Sequence, residues 1–184
     1  ETLAARPSPT IPESSAGMAD EDLVTEINTV EDLERFAEIV NGGNSYEGKI
    51  VTLNNDLDLS DKYNAESGLS WEPIGSYDVI GGTNPFGGVF DGGEHTVSGL
   101  YINGSGSTQG LFGTVTGTIQ DLTVSGDINA GSVVGGIAGW CSGSISNCSS
   151  SVDITAQREA GGIVGTVNSG SISDSDNSGS ILIT

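Results

Sequence analysis

A repeat of about 26 residues is the feature that most constrains how this 184-residue chain can fold. Apolar residues return at the same phase, at steps of 26 or 27 positions. The three series are Leu111, Ile137 and Ile163; Ile119, Ile145 and Ile172; and Ile128, Ile154 and Ile181. The one extra residue falls between Ile163 and Ile172, so we predict that it is confined to a single turn. A fixed period of roughly 20 to 50 residues is the mark of a repeat architecture.

Short strand-like segments separated by glycine-containing corners fill the chain from residue 86 to residue 184. Each repeat holds two or three such segments, fewer than the four that a propeller blade of roughly 40 residues requires. Asn-Gly and Asp-Gly pairs, the signals of tight hairpins, occur there only at residues 91–92 and 103–104. We therefore predict an all-β fold, a parallel β-helix (solenoid) of about five coils over residues 49–184, in which equivalent side chains lie one coil apart.

One short helix is predicted before the first coil, within residues 27–48. Thr29 followed by Asp32 fits a capping box, apolar residues recur at helical spacing from Leu33 to Val40, and "NGG" at 41–43 supplies a left-handed stop. A stacked coil leaves unpaired backbone groups at each end. We therefore expect this helix to cap the N-terminal end of the solenoid.

The two ends of the sequence lack repeat periodicity or a cap. Residues 1–26 begin with a stretch rich in Pro, Ser and Ala, which predicts an extended N-terminal arm. The last repeat has no capping element after it, so we expect a partner or further chain to cover that edge.

Composition excludes several classes of partner. Five basic residues against 25 acidic ones give a formal net charge of −20. Binding to nucleic acid or to an anionic membrane surface needs clustered Lys and Arg, so we expect neither as a partner. No apolar run approaches the roughly 18 residues that a membrane helix needs, and we expect no membrane insertion.

Cys141 and Cys148 are the only cysteines, and no CxxC motif or Cys/His cluster accompanies them. A zinc site is therefore not expected. Cys148 is in phase with Leu122, which predicts an inward-pointing thiol that fills the core. A disulfide between the two cysteines stays open at this point.

The order of several sequence pieces resembles the GLUG-motif β-helix modules of large bacterial secreted and cell-wall proteins. The pieces are "TVEDLERFAEIVNGGNSYEGKIVTLNNDLDLS", "WEPIG", "FGGVFDGGEHTVSGLYI", "GLFG", "GGIAG" and "GGIVG", within residues 27–184. The resemblance implies a right-handed β-helix that acts as a stalk, spacer or binding surface and has no catalytic residues. The chain departs from its own repeats at Trp140-Cys141 and at Ser175, which stands where earlier repeats have Leu122 and Cys148.

These observations predict a non-enzymatic structural or interaction module of an extracellular, secreted or cell-surface bacterial protein, with no cofactor. The expected partners are further domains of a longer surface protein, other copies of the chain, or a host protein or glycan. One alternative is a self-assembling subunit of an extracellular filament or array, joined through the N-terminal arm or the open coil edge. A second is a polysaccharide-binding or polysaccharide-cleaving β-helix.

A polysaccharide-cleaving enzyme would need two carboxylates opposed across the sugar bond. The candidate pairs are Asp56 with Asp58, on one strand, and Asp121 with Asp153, which we expect to lie near each other in stacked coils. The lone histidine, His95, lies at a predicted corner, where a structural hydrogen bond is expected. An anionic substrate would also need basic residues, and the repeats contain only Arg158.

Two further sets of residues are candidate sites. Asp174, Asp176 and Ser178, in "DSDNSGS", have the opening spacing of a calcium loop, although an ordinary turn fits the same residues. Calcium is the one candidate ion. Tyr63 and Tyr77 lie in segments that break the repeat rhythm, and loops on a rigid scaffold often carry binding specificity. Trp71, between them, is predicted to be a core residue.

Overall fold

The structure, a computed structural model, describes residues 15–78 and 82–184, and of residues 76–82 it describes only backbone, at 76–78 and 82. Parallel stacked sheets form a β-solenoid of about six turns, with one short helix near the N-terminus. This confirms the predicted fold class. Among the described residues, no helix has both the length and the apolar character needed to span a membrane.

The regular elements alternate with short corners along the chain. A 3-10 turn (Asp20–Asp22) comes first, and the helix α1 spans Val30–Asn41. In chain order the strands are β1 (Glu26–Ile27), β2 (Ile50–Leu53), β3 (Leu57–Asp58), β4 (Ser76–Asp78), β5 (Gly82–Asn84), β6 (Val89–Gly104), β7 (Thr108–Gln109), β8 (Phe112–Val115), β9 (Thr118–Ala130), β10 (Val133–Gly135), β11 (Ala138–Cys141), β12 (Ser144–Ser146), β13 (Ser149–Ala156), β14 (Glu159–Gly161), β15 (Val164–Val167), β16 (Ser171–Ser173), β17 (Asp176–Asn177) and β18 (Ile181–Ile183).

Three parallel sheets make up the walls of the solenoid. The largest contains β1, β2, β3, β6, β9, β12, β13, β16, β17 and β18, and the two three-stranded sheets are β7-β10-β14 and β8-β11-β15. Strands β4 and β5 form an antiparallel pair outside these walls. From β6 to β15, each coil therefore contributes strands to the walls in the order largest sheet, β7 sheet, β8 sheet.

The predicted rows of side chains are confirmed by the strand register. Ile119, Ile145 and Ile172 are direct partners in adjacent coils. Ile128, Ile154 and Ile181 form a second such row. The third series, which begins at Leu111, is continuous too, since backbone hydrogen bonds and strand pairs run in the same register beside it.

The extra residue of the last repeat is confined to one turn, as predicted. Cys141 pairs with Val167 at a step of 26, whereas Ser144 pairs with Ser171 at a step of 27. The insertion therefore lies between residues 167 and 171. Ser169 has a left-handed φ of 59° there, which allows the corner to absorb one more residue.

The solenoid has about six turns, where about five were predicted. The additional turn begins with β1, whose residues Glu26 and Ile27 pair in parallel with Thr52 and Leu53 of β2. One row of outward-facing residues has one member in each of the six turns. Its members are Glu26, Thr52, Asp91, Gln120, Ser146 and Ser173. Helix α1 is therefore inserted within the first turn, after β1.

Helix α1 begins and ends at the predicted signals. The Thr29 hydroxyl accepts from the Asp32 N–H, and the Asp32 carboxylate accepts from the Thr29 N–H, which completes a capping box. Gly43, with φ of 109°, follows the last turn. Leu33, Phe36, Ile39 and Val40 are fully buried against the N-terminal end of the core. The ring of Phe36 packs edge-on against Phe86, with centroids 5.5 Å apart.

The described part of the predicted arm is tied to this helix. Ser15 is buried, and its N–H donates to the carbonyl of Gly42 at 2.9 Å. Lys49 forms an ion pair with Asp20. Residues 1–14 of the arm lie outside the described residues.

A column of glycines forms one corner of the solenoid. Gly88, Gly117, Gly143 and Gly170 follow one another by the register of the adjoining strands. A Cβ added to Gly143 would lie 1.8 Å from the carbonyl oxygen of Gly117, in the coil before it. Glycine is required because no side-chain atom fits between the stacked backbones.

Candidate binding groove

A groove whose described lining residues are all uncharged lies where two walls of the solenoid meet. The β7-β10-β14 sheet contributes Thr108 and Val133, and the β8-β11-β15 sheet contributes Thr114 and Trp140. The cavity has a volume of about 560 Å³. The remaining lining residues are Thr83, Pro85, Ser107, Thr116 and Ser132. Its volume is within the range of small-molecule binding sites.

Glycines allow the two walls to approach each other closely. A Cβ at Gly139 would lie 2.9 Å from the Cβ of Thr108, and one at Gly165 would lie 2.8 Å from Cγ1 of Val133. Both glycines belong to strands of the β8-β11-β15 sheet. Their lack of side chains lets Thr108 and Val133 pack directly on that sheet.

Trp140 is the aromatic residue among the described residues that line the groove. It is half-buried and pairs in the sheet with Thr114 on one side and Thr166 on the other. Among the described residues its indole makes neither a ring contact nor a hydrogen bond. Trp71, by contrast, is buried as predicted, and its indole N–H donates to the Leu111 carbonyl at 3.1 Å. Of these two tryptophans, only Trp140 is partly exposed and therefore able to contact a ligand.

Two threonine hydroxyls at the groove have no partner among the described residues. Oγ1 of Thr108 and Oγ1 of Thr114 are inaccessible to solvent and make no hydrogen bond within the described part of the chain. Thr114 as a residue is only 4 % exposed. A buried hydroxyl without a partner costs free energy, so such groups are rare unless a ligand or water satisfies them.

The predicted calcium residues belong to a coil corner. Asp174 has a left-handed φ of 49° and is the last of four corner residues in register, after Glu94, Asp121 and Asn147, whose φ values are 63°, 54° and 51°. The Asp176 carboxylate accepts from the Ser149 hydroxyl at 2.7 Å. The backbone N–H of Ser178 donates to Ser150. These contacts connect the last coil to the coil before it. Calcium binding by Asp174, Asp176 and Ser178 stays a prediction.

The predicted interaction tyrosines, Tyr63 and Tyr77, lie in different surroundings. Tyr63 is half-buried, stacks edge-on against Trp71 at 5.3 Å, and donates its hydroxyl hydrogen to Glu34 at 2.7 Å. Burial, and then the nearby Glu34, raise the pKa of the Tyr63 hydroxyl. Tyr77 lies in β4, and its side chain is outside the described residues. Tyr63 is not among the described residues that line the groove.

His95 and Asp56 form the corner contact expected of the lone histidine. Nδ1 of His95 lies 3.1 Å from Oδ1 of Asp56, and the Thr96 N–H donates to the same oxygen at 2.9 Å. The Thr96 and His95 hydrogen bonds lower the pKa of Asp56. Asp58 accepts from the Ser60 N–H at 2.9 Å.

The expected pairing of Asp121 with Asp153 is wrong. Asp153 is in register with Asp127, while Asp121 accepts a hydrogen bond from Asn147 at 3.2 Å. The carboxylate of Asp153 accepts from both the N–H and the hydroxyl of Ser180, at 2.8 and 2.7 Å. It therefore connects the last two coils.

Both cysteines are buried and free. Cys148 points into the core, as its phase with Leu122 predicted. Burial raises the pKa of the Cys148 thiol to about 11.

Sequence reasoning missed the groove, although one signal pointed to it. Trp140 stood out as a departure from the repeat, since Phe112-Gly113-Thr114 and Val164-Gly165-Thr166 have threonine at the equivalent place. Nothing in the repeat indicates that residues 83–85 would border the same surface.

No family model, curated protein or solved structure matches this chain. The resemblance to GLUG-motif modules therefore remains a hypothesis that rests on the sequence pieces alone.

Proposed function

We propose that this chain is a non-enzymatic structural module of an extracellular bacterial surface protein, which spaces or presents other parts and whose last coil stacks against further β-structure. The observation that carries the proposal is the contrast between the two ends of the solenoid. Helix α1 covers the N-terminal end with fully buried side chains, such as Phe36 and Val40. The C-terminal coil has no such cover among the described residues.

Apolar rows that are buried inside the solenoid become exposed at its last coil. Ile145 is fully buried, and its partner Ile172 is 41 % exposed; Ile154 is 2 % exposed, and its partner Ile181 is 43 % exposed. Leu182 and Ile183 are also exposed. Exposed contiguous apolar side chains mark interaction surfaces, and burying them is favourable. A further layer of β-structure would continue both rows.

A filament of identical copies is the second candidate, because β16, β17 and β18 form an open strand edge. Head-to-tail stacking would place this edge against the N-terminal end, where helix α1 packs and the edge strand β1 has only two residues. That end offers few backbone partners. The geometry therefore favours a further coil over a second copy.

The acidic residues considered for catalysis support a structural role. Asp56 bonds to His95 and Thr96, Asp58 to Ser60, and Asp153 to Ser180. Each carboxylate thus holds a corner or links adjacent coils.

Adding one coil to the chain tests the proposal. Since Ala156 pairs with Ile183, Thr184 occupies the phase of Gln157, and a second copy of residues 158–184 fused after Thr184 continues the register. We expect a higher melting temperature and stronger amide protection at Ile181–Ile183. The matched control carries the same extension with the copies of Ile163, Ile172 and Ile181 changed to Ser. If the extension is proteolysed and leaves the melting temperature at the control's value, the last coil is not a stacking surface.

A further inference from the structure

We propose that the groove around Trp140 binds a neutral oligosaccharide. This goes beyond the spacer role and does not depend on the C-terminal coil, since the groove lies on the side of the solenoid. Its lining combines one aromatic platform, apolar contact from Pro85 and Val133, and several hydroxyl groups. A pyranose ring has the matching surfaces, because its C–H face packs on an indole and its rim carries hydroxyls.

The unpartnered hydroxyls point to a ligand with hydrogen-bonding groups. Oγ1 of Thr108 and Oγ1 of Thr114 are buried without partners among the described residues, and Thr114 lines the cavity while being 4 % exposed. Each threonine hydroxyl can both donate and accept, as a sugar hydroxyl can. Both oxygens are inaccessible to solvent in the free protein, so a saccharide satisfies them only when the lining side chains shift as it binds.

None of the described residues that line the groove is charged, which favours a neutral ligand. The chain carries a formal net charge of −20, yet the nine lining residues are Thr, Ser, Pro, Val and Trp. An acidic polysaccharide would meet a negative molecule with no basic residue among the described lining residues. A cationic ligand would find no carboxylate among them, since Glu159, the strand partner of Val133, accepts from the Thr166 hydroxyl.

Binding is tested with neutral tetrasaccharides of glucose and N-acetylglucosamine, both α- and β-linked, and with a tetramer of galacturonic acid. Calorimetry measures affinity, and the fluorescence of Trp140 reports on the groove while Trp71 stays buried. We expect at least one neutral tetrasaccharide to bind, the acidic tetramer not to bind, and the affinity to change little between low and high salt, because no ion pair is involved.

Variants assign the binding to the groove. Trp140→Ala is expected to weaken it about tenfold or more, because the aromatic platform is lost. Thr114→Val is expected to weaken binding about three- to tenfold through the loss of one hydrogen bond, without lowering the melting temperature, because the hydroxyl has no partner in the free protein. Thr166→Val is the matched control. Thr166 pairs with Trp140 from the opposite side and donates its hydroxyl to Glu159 at 2.5 Å, outside the groove, so binding should be unchanged.

Three results would overturn the proposal. They are that none of the neutral tetrasaccharides binds, that binding is as tight in Trp140→Ala as in the unchanged chain, and that a proline-rich peptide binds at Trp140 while the saccharides do not. The coil-extension experiment would be unaffected by any of these, so the two proposals fail separately.

Discussion

At the residue scale, the glycine column of Gly88, Gly117, Gly143 and Gly170 determines where the chain can turn. The serine- and glycine-rich sequence around these corners contains few large side chains, but it lets each backbone lie directly on the one before. The stacking distance of about 4.8 Å between coils leaves no room for a Cβ there.

Gly143→Ala should destabilise the chain strongly. The added methyl would lie 1.8 Å from the Gly117 carbonyl oxygen, so the coils must separate locally. We expect a loss of about 3 kcal/mol in the free energy of unfolding, at the upper end of overpacking costs. Gly131→Ala, in the same coil, is the control, since its nearest neighbour would be 3.8 Å away. Equal urea midpoints for the two variants would contradict the stacking at this corner.

The two thiols should be unreactive in the folded protein. Burial raises the pKa of Cys148 to about 11 and also raises the pKa of Cys141, so at pH 8 both stay protonated and inaccessible. A colorimetric disulfide reagent should modify neither thiol in buffer and both in concentrated denaturant. Rapid modification of either cysteine under native conditions would show that the core is open at that coil.

At the element scale, the N-terminal cap of α1 is expected to contribute measurably to stability. Thr29→Ala removes the hydroxyl that accepts from Asp32, and the loss should be about 1 kcal/mol in denaturant unfolding. Thr25→Ala is the control, because the Thr25 hydroxyl makes no hydrogen bond among the described residues. If Thr29→Ala loses no more unfolding free energy than Thr25→Ala, tertiary packing alone fixes the start of the helix.

Protonation of Asp153 in acid should weaken the packing of the last coil on the coil before it. Hydrogen bonds from the Ser180 hydroxyl and then the Ser180 N–H lower the Asp153 pKa. Its contribution to stability is therefore present above the unfolded value of about 3.9 and is lost as pH falls through the lower folded pKa. Amide protection factors at Ile181–Ile183 should fall in that window.

Asp153→Asn should remove this pH dependence, because the amide does not titrate there. Asp127→Asn, one coil earlier in the same row, is the control and should keep it. If both variants respond to acid as the unchanged chain does, Asp153 is not the group that links the last coil.

At the scale of the whole molecule, the period of 26 residues was enough to predict the solenoid. Isoleucines at fixed phase, such as Ile119 and Ile145, can only be buried together if the coils stack in register. The capping box at Thr29 and the glycines after Asn41 are local signals, which predicted the start and the end of helix α1.

Other features were beyond the sequence because they depend on contacts between distant segments. Strand β1 has two residues, too few for any periodicity, so the first turn went unnoticed. The groove joins residue 83 to residue 140 across three coils, and the repeat carries no information on how irregular segments pack. The lack of a hydrogen-bond partner for the Thr114 hydroxyl among the described residues depends on neighbours from other coils, which the repeat does not indicate.

The most direct test of the stacked column is one distance along its axis. Glu26 and Ser173 are exposed outward positions of the same row, five coil steps apart. At about 4.8 Å per step, spin labels on Glu26→Cys and Ser173→Cys should be about 24 Å apart in a pulsed electron-spin measurement. One narrow distribution near this value is the predicted result. A broad distribution, or one centred beyond about 40 Å, would contradict an in-register solenoid.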